Sequence, residues 1–132
     1  MVSISGLPAF LAYMATASGL IALYLGVYLS ATAHREIALI RAGNGAAALA
    51  LGGSLVGYTL PLAVAIYNAQ TLLDCIIWGL VALLVQIAIY FAVRLILPDL
   101  SRRIDEDQAS AAILLAAFSL AGGLVDAASM TY

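Results

Sequence analysis

The stretch RAGNGAAALALGGSLVGYTLPLAVAIY, residues 41–67, decides the fold. It opens on an arginine and then continues from Gly45 to Tyr67 without a charged side chain. An α-helix of about 20 mainly apolar residues is long enough to cross the hydrocarbon core of a bilayer. The stretch therefore predicts a transmembrane helix over 45–67, with Asn44 as its N-cap.

Three further segments have the same character, at 9–30, 72–97 and 109–127, the last extending toward Met130. The chain is 65% hydrophobic and only 9% charged, with a mean hydropathy of +1.11, whereas soluble domains carry about a quarter charged residues. We therefore expect one all-α, polytopic membrane domain over residues 1–132, with four transmembrane helices. The first segment lacks the positively charged start of a secretory signal, so we interpret it as a mature transmembrane helix.

The arginines predict how these helices are oriented. The chain has no lysine, and its arginines lie in or beside the two connectors that follow the first and third segments: Arg35, Arg41, Arg94, Arg102 and Arg103. The loop between the second and third segments contains no basic residue. Because arginine-rich short loops are retained on the cytoplasmic side of a membrane, we expect both connectors in the cytoplasm and both termini outside.

An internal duplication relates the two halves of the chain. A shift of 66 residues brings Tyr24 onto Tyr90, and a shift of 65 superposes the second segment on the fourth. Each repeat, at about 9–67 and about 72–130, contains two helices. Both halves must then insert with the same orientation, as tandem parallel hairpins.

Small residues recur at helix-packing intervals in the second and fourth segments. Gly53 and Gly57 form a GxxxG pair, and Gly122 and Gly123 lie in the fourth segment. In lipid, helices associate through close backbone contact, which small residues allow. We expect these two segments at the centre of the bundle, the first segment and the bulkier third segment around them, and a kink at Pro61.

The first segment carries another stripe of small residues, Ser18, Ala22 and Gly26. Small faces on three of the four predicted helices are more than a minimal bundle needs, and they predict a homo-oligomer. The alternative is that packing within one chain uses these faces.

Polar residues near the middle of the spans are candidates for a pore lining or a polar core. They are Ser54, Gln86 and Ser119. Ionisable or strongly polar residues inside a membrane usually face a bundle interior or a water-filled path. The two serines alternatively bond to carbonyls of their own helices.

Two carboxylates, Asp74 and Asp126, lie near the outer ends of the third and fourth segments. At the same membrane level they form a candidate acidic mouth that attracts cations. Asp74 alternatively belongs to a capping box with Thr71, three residues earlier.

The charged connectors suit contact with membrane lipid headgroups or with a cytosolic protein, and a solvated surface is the default interpretation for Glu36 and its neighbours. The few arginines form no broad basic surface, which argues against nucleic-acid binding. A lone cysteine, Cys75, excludes an internal disulfide and a cysteine-based metal site. The sequence contains no nucleophile with a base and no ligand cluster, so we expect no enzymatic activity, cofactor or metal.

The motifs RAGNGAAALALGGSLVGYTLPLAVAI, DCIIWGLVALLVQ, ILPDL and DQASAAILLAAFSLAGGLVDAASMT resemble the bacterial inner-membrane proteins grouped as domain of unknown function 350. The resemblance covers the chain from about residue 15 onward. It implies tandem two-helix repeats in the bacterial inner membrane, and partners connected with membrane stress. Many members have asparagine at the position of Asp126.

Two functions fit this sequence. One is an oligomeric channel or permeation pathway for protons or small ions, lined by the second and fourth segments. The other is a membrane scaffold or stress-response component that docks cytosolic partners through its two charged loops.

Overall fold

The computed structural model describes residues 4–32 and 36–130. A short 3-10 turn, Ile4–Gly6, leads into the first α-helix, and the described residues contain no strand. Arg35, one of the predicted connector residues, lies outside the described ranges. The helices are α1 (Leu7–Ala31), α2 (Glu36–Arg41), α3 (Gly45–Asn68), α4 (Leu72–Ile96), α5 (Leu100–Asp105) and α6 (Ala109–Ser129).

The four long helices α1, α3, α4 and α6 correspond to the four predicted segments, and their ends agree to within a residue or two. Each is long and apolar enough to cross a membrane, by length and composition. The predicted all-α membrane fold is therefore confirmed. The tandem repeat and the domain limits stay predictions.

The short helices α2 and α5 lie at one end of the bundle, which we call the connector end; the loop between α3 and α4 lies at the opposite, terminal end. Both connectors have the same form. Each short helix is followed by a residue with positive φ, Gly43 (91°) or Asp107 (59°). The next residue, Asn44 or Gln108, starts the following long helix. Its N–H donates to the carbonyl five residues earlier, at 2.9 Å in both connectors, as in a Schellman motif.

Asn44 joins the two connectors. Its Oδ1 accepts a hydrogen bond from the N–H of Ala47 at 2.9 Å, which caps α3. Its Nδ2 donates to the carbonyl of Ile104 at 2.8 Å, at the end of α5. In return, Oδ1 of Asp107 accepts from the N–H of Ala46 at 2.9 Å. The start of α3 is thus capped from both its own connector and the other one.

The pairing of α3 with α6 is the most extensive helix contact in the described structure. A Cβ atom added at Gly53 would overlap with the side chain of Ala116, and one at Gly57 would overlap with the carbonyl oxygen of Ser119. One at Gly123 would overlap with the carbonyl oxygen of Gly57. The two backbones therefore touch, and the approach depends on glycine at these positions.

Pro61 lies within α3, which continues unbroken to Asn68. Because proline has no N–H, the carbonyl of Gly57 lacks its usual donor one turn later. That oxygen contacts the backbone of Gly123 on α6, the geometry of a Cα–H···O contact between helices. A bend at Pro61 stays a prediction.

The expectation that the first and third segments both lie at the outside is right for the first and wrong for the third. In the most apolar part of each span, the share of residues that are buried is 33% in α4 and in α6, 39% in α3 and only 17% in α1. The peripheral helix is therefore α1. Helix α4 packs against α1, α3 and α6, and at Gly79 an added Cβ would overlap with the side chain of Leu20 on α1.

Candidate functional site

A cluster of polar side chains lies in the interior of the bundle, with contributions from all four long helices. We call it the polar core, and every member is at most 1% exposed. A polar group at this depth has no bulk water to bond to, so its partners must come from within the protein or from bound polar molecules. The members are Tyr24, Tyr28, Ser54, Tyr58, Gln86, Tyr90 and Ser119.

The tyrosines form a continuous set of ring contacts that crosses from α3 to α4 through α1. Tyr58 stacks on Tyr24 with ring centroids 4.5 Å apart and planes at 8°. Tyr24 lies 5.9 Å from Tyr28, which meets the ring of Tyr90 edge-on at 5.7 Å. These distances are typical of favourable aromatic pairs, so the rings hold the peripheral helix α1 against α3 and α4.

The three polar residues predicted from the sequence are brought together. The hydroxyl oxygens of Ser54 and Ser119 lie 3.4 Å apart across the α3–α6 interface. Nε2 of Gln86 donates to the carbonyl of Ser119 at 3.0 Å, which adds α4 to the group. These contacts join the three helices directly.

Several polar atoms of the core keep unused hydrogen-bonding capacity. Oε1 of Gln86 and the hydroxyls of Tyr28 and Tyr90 are fully shielded and have no hydrogen-bond partner within the described residues. The hydroxyl of Tyr58, in contrast, donates to the carbonyl of Gly79 at 3.0 Å. A buried polar atom without a partner costs about 1–3 kcal/mol. The core is therefore a place where a small polar guest, such as water, would be stabilised.

Glu36 extends the polar region to the connector end, and its position differs from the expected solvated one. It is the first residue of α2 and only 1% exposed. Its carboxylate lies within electrostatic range of Tyr24 and Tyr28. Helix α2 packs against α3.

Sequence reasoning missed Glu36 and the tyrosines as members of one site. A carboxylate beside arginines in a short connector has the composition of a solvated loop. The signal that was present is the spacing of Tyr24 and Tyr28, one turn apart on a single helix face. The shift of 66 residues also superposes Tyr24 on Tyr90, but the repeat alone does not predict that the two tyrosines belong to one site.

At the terminal end, Asp74 takes part in the start of α4. Its N–H donates to Oγ1 of Thr71 at 3.2 Å, and its own Oδ2 accepts from the N–H of Gln70 at 3.2 Å. Asp74 also lines a cavity of about 120 Å³ together with Asn68 and Trp78. The described capping geometry accounts for one of its two carboxylate oxygens.

Asp126 is half-buried on α6 and is not among the residues that line this cavity. Its Oδ2 is shielded from solvent and has no hydrogen-bond partner in the described ranges. A shared acidic mouth formed by Asp74 and Asp126 stays a prediction.

The arginines at the connector end have unequal surroundings. Asp99 binds Arg102 at 2.6 Å and Arg103 at 3.0 Å. Hydrogen bonds from Arg103 and Arg102 hold the pKa of Asp99 below its usual value. Arg41 is exposed, and Arg94 is half-buried. Within the described structure neither of these two makes a hydrogen bond or ion pair. The same ranges contain no group of three or more potential metal-ligating side chains.

Four apolar helices closed around a polar core define a small polytopic membrane protein. The chain belongs to the family described as Domain of Unknown Function (DUF350), whose sequence model matches residues 1–130. It is 37% identical over 129 residues to the UPF0719 inner membrane protein YjfL of Escherichia coli K12, covering 98% of each chain. The protein of the same description from Escherichia coli O157:H7 matches equally. No solved structure matches the chain. The family predicted from the sequence motifs is confirmed.

Proposed function

We propose that this chain is a non-enzymatic protein of the bacterial inner membrane whose polar core provides a permeation path for protons. The location rests on the four helices long enough to cross a membrane and on the description of the relative as an inner membrane protein. In this proposal the connector end faces the cytoplasm, as the arginines predict, and both termini face outward.

The observation that carries the proposal is the buried, incompletely hydrogen-bonded polar core. Hydroxyl groups both donate and accept hydrogen bonds, and an amide does so through separate atoms. Membrane proton relays are usually chains of Asp, Glu and His; here hydroxyl and amide groups, with any water they bind, would carry the proton between carboxyl groups. Glu36 supplies a carboxyl group at the connector end of this series, within electrostatic range of Tyr28.

Protons suit this core better than hydrated ions do. The α3 and α6 backbones touch at Gly53 and Gly57, and Ser54 and Ser119 bond to each other across the same interface. A hydrated ion would have to separate these helices, whereas a proton moves along hydrogen bonds without such a change. At the terminal end, Asp74 and Asp126 are the proposed exit groups.

The predicted homo-oligomer is compatible with this path but must form through other surfaces. The small faces of α3 and α6 are used against each other within one chain. The exposed residues near the start of α1, Phe10, Leu11 and Met14, are left to meet a second copy.

Proton flux into liposomes tests the proposal. The purified protein should dissipate an imposed pH gradient, and Gln86→Leu should reduce this flux by about tenfold, the factor that corresponds to about 1.4 kcal/mol in a barrier. Tyr28→Phe and Tyr90→Phe remove single hydroxyls and should act in the same direction. The control is Tyr67→Phe, because Tyr67 is 90% exposed at the terminal end. Vesicles that stay proton-tight with correctly inserted wild-type protein would rule the path out.

A docking scaffold is the second candidate, and the clasp between the connectors favours it. Asn44 and Asp107 hold the starts of α3 and α6 together, which gives the exposed Arg41 and the exposed acidic residues Asp105 and Glu106 a fixed arrangement. A photo-crosslinker placed beside Arg41 should then capture one specific cytosolic protein. Capture of lipid alone would count against the scaffold and leave the proton path untouched.

A further inference from the structure

A long groove lies between α1 and α4 toward the connector end. Its α4 side is formed by Ile87 and Phe91, and its α1 side includes small residues one turn apart together with larger apolar ones: Ala22, Leu23, Gly26, Val27, Ser30 and Ala31. The groove has a volume of about 750 Å³. Ser30 donates its hydroxyl to the carbonyl of Gly26 at 2.8 Å, so the groove presents an apolar surface to the bilayer.

The groove continues past Phe91 toward the end of α4. A second, open recess of about 410 Å³ is lined by Phe91, Arg94, Leu95 and Pro98. Ile87, Phe91, Arg94 and Pro98 follow one another at intervals of three or four residues, so they lie on one face along α4. We call the two recesses together the lipid groove; it is apolar along most of its length and ends at a guanidinium group.

Arg94 differs from the other arginines in the described connectors. Arg102 and Arg103 both form ion pairs with Asp99, and Arg41 is exposed on α2. Arg94 is half-buried at the end of a membrane-spanning helix, and no described residue accepts a hydrogen bond from it. An arginine at this depth extends toward the interface, where a phosphate offers the oxygens that its planar group binds best.

We propose that the lipid groove binds an anionic glycerophospholipid, with the phosphate on Arg94 and an acyl chain along Gly26. The positive charge of Arg94 favours an anionic headgroup, and the apolar surface of the groove favours contact with an acyl chain. At Gly26 an added Cβ would meet no atom within 4 Å, so the space beside it is free for a chain. This site is separate from the polar core, and neither proposal depends on the other.

A second copy of the protein is a less suitable occupant than a lipid. Copies inserted in the same orientation around an axis normal to the membrane would place their Arg94 side chains at the same membrane level. If the groove were the contact between two copies, their Arg94 guanidinium groups would lie near each other without a paired carboxylate. They would repel each other, and the low dielectric of the membrane strengthens the repulsion. A lipid phosphate supplies the opposite charge.

Lipid retention by the delipidated, full-length protein tests the headgroup part of the proposal. Detergent-purified protein is mixed with phosphatidylglycerol or phosphatidylcholine and examined by native mass spectrometry. The wild type should retain phosphatidylglycerol preferentially, and Arg94→Gln should reduce that preference by about tenfold, equivalent to about 1.4 kcal/mol. Arg41→Gln removes an exposed arginine and should leave the preference unchanged. Equal preference in the wild type and Arg94→Gln would overturn the assignment.

The acyl-chain part has its own pair of variants. Gly26→Leu fills the groove and should lower retention of both lipids, whereas Gly52→Leu places the same side chain at another open position on α3 and should not. Both variants should stay monodisperse, because neither position contacts packed atoms. Full retention by Gly26→Leu would refute the groove as the binding surface.

A cysteine probe distinguishes a lipid from a second copy. Gly26→Cys is introduced together with Cys75→Ala and oxidised in native membranes. A disulfide-linked dimer in high yield would show that another chain occupies the groove and would overturn the lipid proposal. A monomeric product is the expected result.

Discussion

The α3–α6 interface and the α1 side of the lipid groove are both built on glycine, and they use it in opposite ways. At Gly53, Gly57 and Gly123 an added Cβ would overlap with atoms of the facing helix, whereas at Gly26 it would meet nothing within 4 Å. A small-residue stripe in a membrane helix therefore has two structural meanings. In one it permits backbone contact within the chain, and in the other it leaves a surface for the surrounding membrane.

The comparison also separates the parts of the molecule by their roles. The α3–α6 pair fixes the bundle and holds the Ser54–Ser119 contact at its centre. Helix α1 closes the polar core from one side with Tyr24 and Tyr28, and faces the bilayer with the other. A substitution should consequently have very different effects on stability in these two places.

The largest expected difference in stability is between two glycine-to-leucine variants, one in each region. Gly57→Leu forces a side chain against the backbone of Ser119 and the amide of Gln86. Overpacking of this kind costs about 1–3 kcal/mol and more where backbone must move, so we expect about 3 kcal/mol. Gly26→Leu has free space and should change stability by less than about 0.5 kcal/mol.

Thermal unfolding in detergent, followed by size-exclusion chromatography, measures this difference. The apparent Tm of Gly57→Leu should fall well below that of the wild type, and that of Gly26→Leu should stay close to it. Equal losses for the two variants would contradict the distinction between a filled and an open glycine stripe.

A smaller effect is expected at the connector end, where the α3–α6 pair is clasped. Asn44→Ala removes the cap of α3 and the hydrogen bond to the carbonyl of Ile104. Loss of a cap costs about 1 kcal/mol, and loss of a buried hydrogen bond adds about as much, so we expect about 2 kcal/mol.

Gln108→Ala is the matched control for this prediction. Gln108 occupies the N-cap position of α6, but its side chain makes no capping hydrogen bond there. Its replacement should leave the apparent Tm nearly unchanged in the same assay. If Asn44→Ala proved as mild as Gln108→Ala, the clasp between the connectors would not contribute to stability.

Features encoded by neighbouring residues could be predicted from the sequence. The helix starts at Asn44 and Thr71 depend on side chains within three residues, and the structure shows both caps. The four spans follow from apolar runs of sufficient length. Polar residues are rare in such runs, and this rarity indicates the candidates for a polar core. Three of them meet there: Ser54, Gln86 and Ser119.

Features that depend on contacts distant in sequence could not be predicted. The burial of Glu36 is set by how α2 folds back against α3, and no local pattern encodes it. The burial of α4 depends on its contacts with α1, α3 and α6, which are distant in sequence. The bulky residues of α4 indicate an outer helix, but composition alone does not show which of its faces are packed.

The smallest effect concerns Asp99, which lies in the connector rather than in either glycine stripe. Its pKa is lowered in the folded protein by hydrogen bonds from Arg103 and Arg102. A depressed carboxyl pKa contributes stability at pH values above the unfolded-state pKa of about 3.9, and that contribution is lost as the pH falls through the lower folded-state value. Because the ion pairs of Asp99 with Arg102 and Arg103 are exposed, their contribution to stability is small.

Asp99→Asn should therefore lower the apparent Tm slightly at pH 7, and the difference from the wild type should shrink as the pH falls below about 4. Asp105→Asn removes an exposed carboxylate that makes no ion pair with a described residue and serves as the control. If the difference in Tm between Asp99→Asn and the wild type grew toward low pH, the ionised Asp99 carboxylate would not be the form that stabilises the fold.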